Sequence, residues 1–109
     1  MARDVVDIVV GKLAEDTLLL DVREVTIIAD YFLICSAGTD RQIQSLTEDV
    51  REAMKEKGIR PLNVEGSADS GWVLMDYTDV IVHLMRPDTR KFYDLEGLWK
   101  KAKTVVRIE

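Results

Sequence analysis

The chain has 109 residues, 47% hydrophobic and 32% charged, with 20 acidic against 15 basic side chains and a net charge of −5. That composition is too apolar for a disordered chain, its two prolines and six glycines exclude low complexity, and the length suits one modest domain with a core of its own. The acidic balance argues against a protein that wraps nucleic-acid phosphates in lysine and arginine, and it leaves a basic protein partner open.

Along the chain, Val5, Val6, Val9 and Leu13 share one side of residues 3–15 while Asp4, Asp7 and Lys12 lie elsewhere, which predicts an amphipathic helix. Acids so near the start are unlike a signal or transit peptide, so the N-terminus is expected to belong to the fold. Two short apolar runs, Thr17 to Val22 and Tyr31 to Ala37, read as strands that pair across a short connector. The longest charge-free stretch, Tyr31 to Thr39, has nine residues against the roughly 20 that span a bilayer, so no membrane helix is expected. Cys35, the single cysteine, lies in that stretch, can form no internal disulfide, and reads as an inert core thiol in a reducing cytosol.

Thr39-Asp-Arg-Gln42 is a capping box that opens a second helix, with Ile43, Leu46, Val50, Ala53 and Met54 at helical spacing and Gly58 as its stop. Arg60 to Glu65 is a short strand candidate and Gly66 to Gly71 a polar loop. Trp72 to Tyr77 and Asp79 to Met85 form a hairpin, since only a tight turn can join them. Pro87 and Asp88 open a last helical segment in which Phe92, Leu95, Leu98 and Trp99 share a face, and Thr104 to Ile108 closes the chain as a short strand. Strand pairs separated by a helix predict an α/β domain with a mixed, roughly five-stranded sheet and flanking helices.

The hairpin is the most informative segment. With Tyr77 and Thr78 as its turn, Asp76 faces Asp79, Leu74 faces Ile81 and Trp72 faces His83. One side then holds Val73, Met75, Val80, Val82 and Leu84, suited to lie beneath helices. The other holds Trp72, Leu74, Ile81 and His83, ending in Asp76 and Asp79, an apolar patch with an acidic rim of the kind that meets a partner. The alternative is that the C-terminal Phe92, Leu95 and Trp99 cover this side.

Other chemistry is sparse. Asp76, Asp79 and His83 have the donor types of a metal or acid/base cluster, but a lone histidine on a strand is more often structural. Ser36, Gly38 and Thr39 before the second helix carry no phosphate-loop lysine or GxGxxG pattern and read as a capped helix start. Residues 86–109 carry seven basic and four acidic side chains against eight and sixteen in residues 1–85. Lys100, Lys101 and Lys103 read as a solvated tail, with a minor contact to RNA as the alternative.

Several motifs stand in a fixed order over about Val5 to Ala102: Leu20-Asp-Val-Arg23, Ile28-Ala-Asp-Tyr-Phe32, Thr39-Asp-Arg-Gln42, Val64-Glu-Gly66, Trp72-Val-Leu-Met-Asp-Tyr77, Asp79-Val-Ile-Val-His83 and Phe92-Tyr-Asp-Leu-Glu-Gly-Leu-Trp99. Together they make the chain similar to the ribosomal silencing factor (RsfS, or Iojap) family. The resemblance implies a nucleotidyltransferase-like topology without that activity, consistent with Ser36-Ala-Gly38 standing where the catalysts need a Gly-Ser turn. No cofactor and no metal are expected from the residues, and the cysteine usage puts the chain in the cytoplasm; the resemblance implies a protein that binds the large ribosomal subunit through ribosomal protein L-fourteen, and a steric block to joining of the small subunit that represses translation when nutrients are scarce. It also implies that Trp72, Leu74, Asp76, Tyr77, Asp79, Ile81 and His83 carry the partner surface. A homodimer through the same patch and a metal-dependent nucleotidyltransferase are the competing readings. One departure is Thr78, where many members have glycine, because a threonine resists positive φ.

Overall fold

A computed structural model describes residues 2–108. The elements run α1 (Ala2–Gly11), β1 (Glu15–Asp21), β2 (Tyr31–Ser36), α2 (Asp40–Glu56), β3 (Asn63–Ser67), a 3-10 turn (Ala68–Ser70), β4 (Trp72–Asp76), β5 (Val80–Met85), α3 (Pro87–Tyr93), α4 (Leu95–Leu98) and β6 (Lys103–Ile108). The six strands form one sheet in the order β3-β4-β5-β2-β1-β6. Only β2 and β5 run parallel, and the crossover that a parallel pair requires is supplied by α2 together with β3 and β4. The sixth strand, beyond the five expected, comes from both weak candidates pairing, β3 on β4 and β6 on β1, at the two edges.

The two central strands are buried almost throughout and mostly apolar, His83 and the terminal Ser36 excepted, because both of their faces are covered. Leu33 and Cys35 of β2 and Val80, Val82 and Leu84 of β5 pack under α1 and α2, against Val5, Val9, Ile43, Leu46, Val50 and Met54. Phe32, Ile34, Ile81 and Met85 point the other way, with Leu18 and Leu20 beside them, under Leu95 and Trp99 of the C-terminal segment. Each such large side chain contributes about 1.5–3 kcal/mol when withdrawn from water.

Helix α2 begins as its capping box requires. Thr39 Oγ1 accepts from the Gln42 amide at 3.2 Å, and Gln42 Oε1 accepts from the amides of Thr39 and Gly38 at 3.2 and 3.1 Å. Three backbone donors at this helix end, those of Gly38, Thr39 and Gln42, are thus satisfied by the chain's own side chains.

The hairpin differs from expectation in register. Asp76 pairs with Ile81, Leu74 with His83 and Trp72 with Met85, so Asp76 does not face Asp79. The Tyr77 amide donates to the Val80 carbonyl, and the Asp79 amide donates back to the Tyr77 carbonyl, a γ-turn centred on Thr78. A slip of two residues keeps the side-chain alternation, so the two faces keep their predicted membership up to Asp76. Thr78 takes φ +73°, in the left-handed region that a β-branched residue enters only with strain. The Asp76 carboxylate, accepting from the Thr78 amide at 2.7 Å, helps hold it there.

Replacing Thr78 by glycine is expected to release that strain and add about 1 kcal/mol to the stability measured by urea unfolding. An unchanged or lowered midpoint would show that the turn stores none.

Candidate partner-binding face

The side of the sheet turned away from α1 and α2 divides into a covered half and an open half. The division is set by the C-terminal segment, which does not run as the single helix predicted. Asp94 takes φ +47°, a left-handed conformation that aspartate tolerates, and its carboxylate accepts from the Gly97 amide at 3.1 Å. The break separates α3 from α4, so Phe92, Leu95, Leu98 and Trp99 cannot share a face. Leu95 and Trp99 pack inward, the Trp99 ring meeting Phe32 edge-on at 5.2 Å, whereas Phe92 is 80% exposed and Leu98 71%.

Arg90 ties α3 to the sheet. Its guanidinium is 6% exposed and donates to the Asp16 carbonyl at 2.6 Å, to Ser36 Oγ at 2.9 Å and to Glu96 at 3.0 Å. Asp16 Oδ2 lies 3.8 Å from its remaining nitrogen. One side chain thus joins β1, the end of β2, α3 and α4.

On the open half, Trp72 and Leu74 of β4 are half-buried and form one wall of a cleft, and Tyr93 at the end of α3 forms the other. The Trp72 and Tyr93 ring centroids are 4.9 Å apart with the planes 48° apart. Glu65, Gly66, Ser70 and Thr89 complete the lining of this space of about 290 Å³. Gly66, at φ +80°, cannot be replaced without displacing backbone, because a Cβ there would lie 2.2 Å from the Trp72 carbonyl oxygen.

His83 sits beneath this surface. It is 5% exposed, its Nδ1 accepts from the Trp72 indole N–H at 3.2 Å, and the Phe32 ring meets it edge-on at 5.5 Å. Acceptance at Nδ1 puts the proton on Nε2, which is buried without a hydrogen-bond partner. Burial pushes the imidazole down to about 4.

Of the predicted face residues, Trp72, Leu74 and Asp76 reach the surface and Asp79 is exposed in the turn, while Ile81 and His83 lie below them as support. Tyr77 is the correction. It is 4% exposed and packs with the core under α1 and α2, because the turn begins one residue later than expected and Tyr77 falls on the alternation of Val73 and Met75. Among the described residues no group of three histidine, cysteine, aspartate or glutamate side chains converges. Asp76, Asp79 and His83 do not form the cluster that the nucleotidyltransferase alternative requires. Cys35 is buried and its thiol is pushed up to about 12 by desolvation, so it stays protonated at neutral pH. Glu65, Tyr93 and Arg90 were absent from the predicted site. Glu65 joins it only through the β3–β4 pairing that sets it opposite Leu74, and Tyr93 only through the break at Asp94.

Fold and face together define a mixed-sheet α/β domain that presents an aromatic, acid-rimmed cleft. A family model described as "Ribosomal silencing factor during starvation" matches residues 1–109. The ribosomal silencing factor of Bacillus subtilis is 42% identical over 91 residues, covering 84% of this chain and 77% of that one. A crystal structure of a Bacillus halodurans protein superposes with a TM-score of 0.83 at 34% identity, over 95% of this chain and 94% of that one. More distantly, a mouse protein named for mitochondrial assembly of the ribosomal large subunit is 29% identical over 89 residues, 79% of this chain and 39% of its own. The chain belongs to the ribosomal silencing factor family.

Two outcomes follow from the geometry. Removing Arg90 strands its partners in the interior, and Arg90→Met is expected to lower stability by about 3 kcal/mol in urea unfolding; a loss below about 1 kcal/mol would deny it the anchoring role. His83 is neutral in the folded chain and protonates near its ordinary 6.5 when unfolded, so the unfolded state binds more protons between pH 6.5 and 4. Its contribution is complete above that window and is lost as the pH falls through it. Between pH 7 and 4 the chain should lose about 3 kcal/mol more than its His83→Gln variant; parallel losses in urea unfolding at the two pH values would contradict this.

Proposed function

We propose that this chain silences the ribosome without catalysis, by docking on the large subunit through ribosomal protein L-fourteen and blocking the small subunit sterically. Membership of the family supports the silencing role, and the name of the mouse relative supports the large subunit as the place of action. The observation that carries the reading is the open half of the sheet face. Trp72, Leu74 and Tyr93 leave apolar surface uncovered beside the carboxylates of Glu65 and Asp76, on a chain of net charge −5. A tryptophan in a half-open cleft is the residue type that most often dominates an interface, and an acidic rim favours approach to a basic ribosomal protein over the RNA around it. The mechanism needs only occupancy, because a folded domain seated on the docking surface excludes the small subunit by volume. The reading extends to repression of translation under nutrient limitation, which the starvation named in the family description supports. The reading puts the chain in the cytoplasm with the ribosomes it silences; among the described residues no helix is long and apolar enough to cross a membrane.

Purified chain added to whole ribosomes should shift them toward free subunits in a sucrose gradient, and it should co-sediment with the large subunit. Trp72→Ala combined with Leu74→Ala should weaken that co-sedimentation at least tenfold while the circular dichroism spectrum is kept. Unshifted ribosomes at ample concentration would sink the proposal, and undiminished binding by the folded double variant would remove the site.

A further inference from the structure

The cleft has a chemical asymmetry that an apolar ligand would not satisfy. Its walls are the Trp72 and Tyr93 rings and the Leu74 side chain, but its outer lining includes the Glu65 carboxylate. Glu65 is exposed on β3 directly opposite Leu74, and among the described residues no cation pairs with it. The guanidinium of Arg86, beside Gly71, is engaged with Asp40 and Asp88. Asp76 extends the same face one pairing further on, opposite Asn63, where its carboxylate accepts from the Thr78 amide and, among the described residues, meets no cation. A neutral occupant filling the cleft would desolvate Glu65 with nothing to balance it.

We infer that the cleft between β4 and α3 receives a lysine or arginine side chain of the docking partner, its aliphatic stem laid on Leu74 and the two rings and its charged head against Glu65. The aromatic walls suit a cation as well as a methylene chain, because the ring faces carry negative potential. The open space of about 290 Å³ and the bare Gly66 backbone beside Trp72 leave room for a long side chain. This deepens the docking proposal and rests on it: Trp72 supplies the anchor surface, and Glu65 selects the charge of what lies on it.

Two measurements test it. The first follows the indole N–H signal of Trp72 by nuclear magnetic resonance, assigned by its loss in Trp72→Phe, while N-acetyl-arginine methylamide is added to about 0.1 M. N-acetyl-norleucine methylamide, of similar reach but uncharged, serves as the comparison. A saturating shift with the arginine compound that is absent with norleucine and diminished in Glu65→Gln upholds the inference; a flat curve, or equal shifts from the two compounds, overturns it. The second compares the folded Glu65→Gln and Glu65→Asp variants in co-sedimentation with large subunits. Glu65→Gln should bind about five- to tenfold more weakly with a shallower salt dependence, and Glu65→Asp should recover part of the loss; binding as tight as the unaltered chain with the same salt dependence overturns the inference. Should the unaltered chain itself fail to co-sediment, the docking proposal falls, and the titration alone decides the ligand of the cleft.

Discussion

Everything that distinguishes the two halves of the exposed sheet face depends on where the C-terminal segment is pinned, and a buried guanidinium pins it. Arg90 reaches from α3 into the seam where β1 and β2 end, and its hydrogen bonds to the Asp16 carbonyl, Ser36 and Glu96 fix that helix to the sheet and to α4 at once. Removing a charge from water is expensive, and the cost is offset here by three hydrogen bonds from Nε and Nη1 and by the Asp16 and Glu96 carboxylates, the former 3.8 Å from the remaining nitrogen. With α3 held there and the chain turned at Asp94, Leu95 and Trp99 close over Phe32, and Tyr93 is left standing beside Trp72. The covered half supplies core, and the open half supplies a cleft.

The open half is rigid for a different reason. Trp72 is half-exposed, yet its indole is held by a hydrogen bond to a histidine that lies below the surface and is kept neutral by burial. Ile81 is buried on the same face beneath Leu74 and its neighbours. A partner meeting this surface encounters side chains already oriented, which reduces the entropy lost on association. The face pairs that rigidity with the carboxylates of Glu65 and Asp76 at its edge, which among the described residues meet no cation, so burial of apolar area and selection of charge fall to different residues.

Much of this was legible in the chain. The capping box at Thr39, the helical spacing to Met54, the mostly apolar runs of the two central strands and the alternation along β4 and β5 are local patterns, and each appears where expected. Trp72 and Leu74 could be placed on one face because alternation survives a register slip of two residues. Tyr77 could not, since its face depends on where the turn starts. The turn starts at Thr78 against the usual preference of a β-branched residue, so propensity pointed the wrong way. The shared face expected for Phe92, Leu95, Leu98 and Trp99 failed at Asp94, where one left-handed residue ends the helical period that the spacing seemed to continue.

The sequence by itself determined most of the elements, the membership of the two sheet faces up to Asp76, the acidic excess in residues 1–85 and, through its ordered motifs, the family. These are properties of neighbours in the chain or of simple sums, which need no partner from elsewhere. Only the tertiary structure decided that Glu65 stands opposite Leu74, that Tyr93 faces Trp72, that His83 is a buried support and that Arg90 joins four elements. Each of these is a contact between residues brought together by strand pairing or by a break in a helix. The free energy of such a contact is set by the burial and desolvation that the whole fold imposes, and no local pattern carries it.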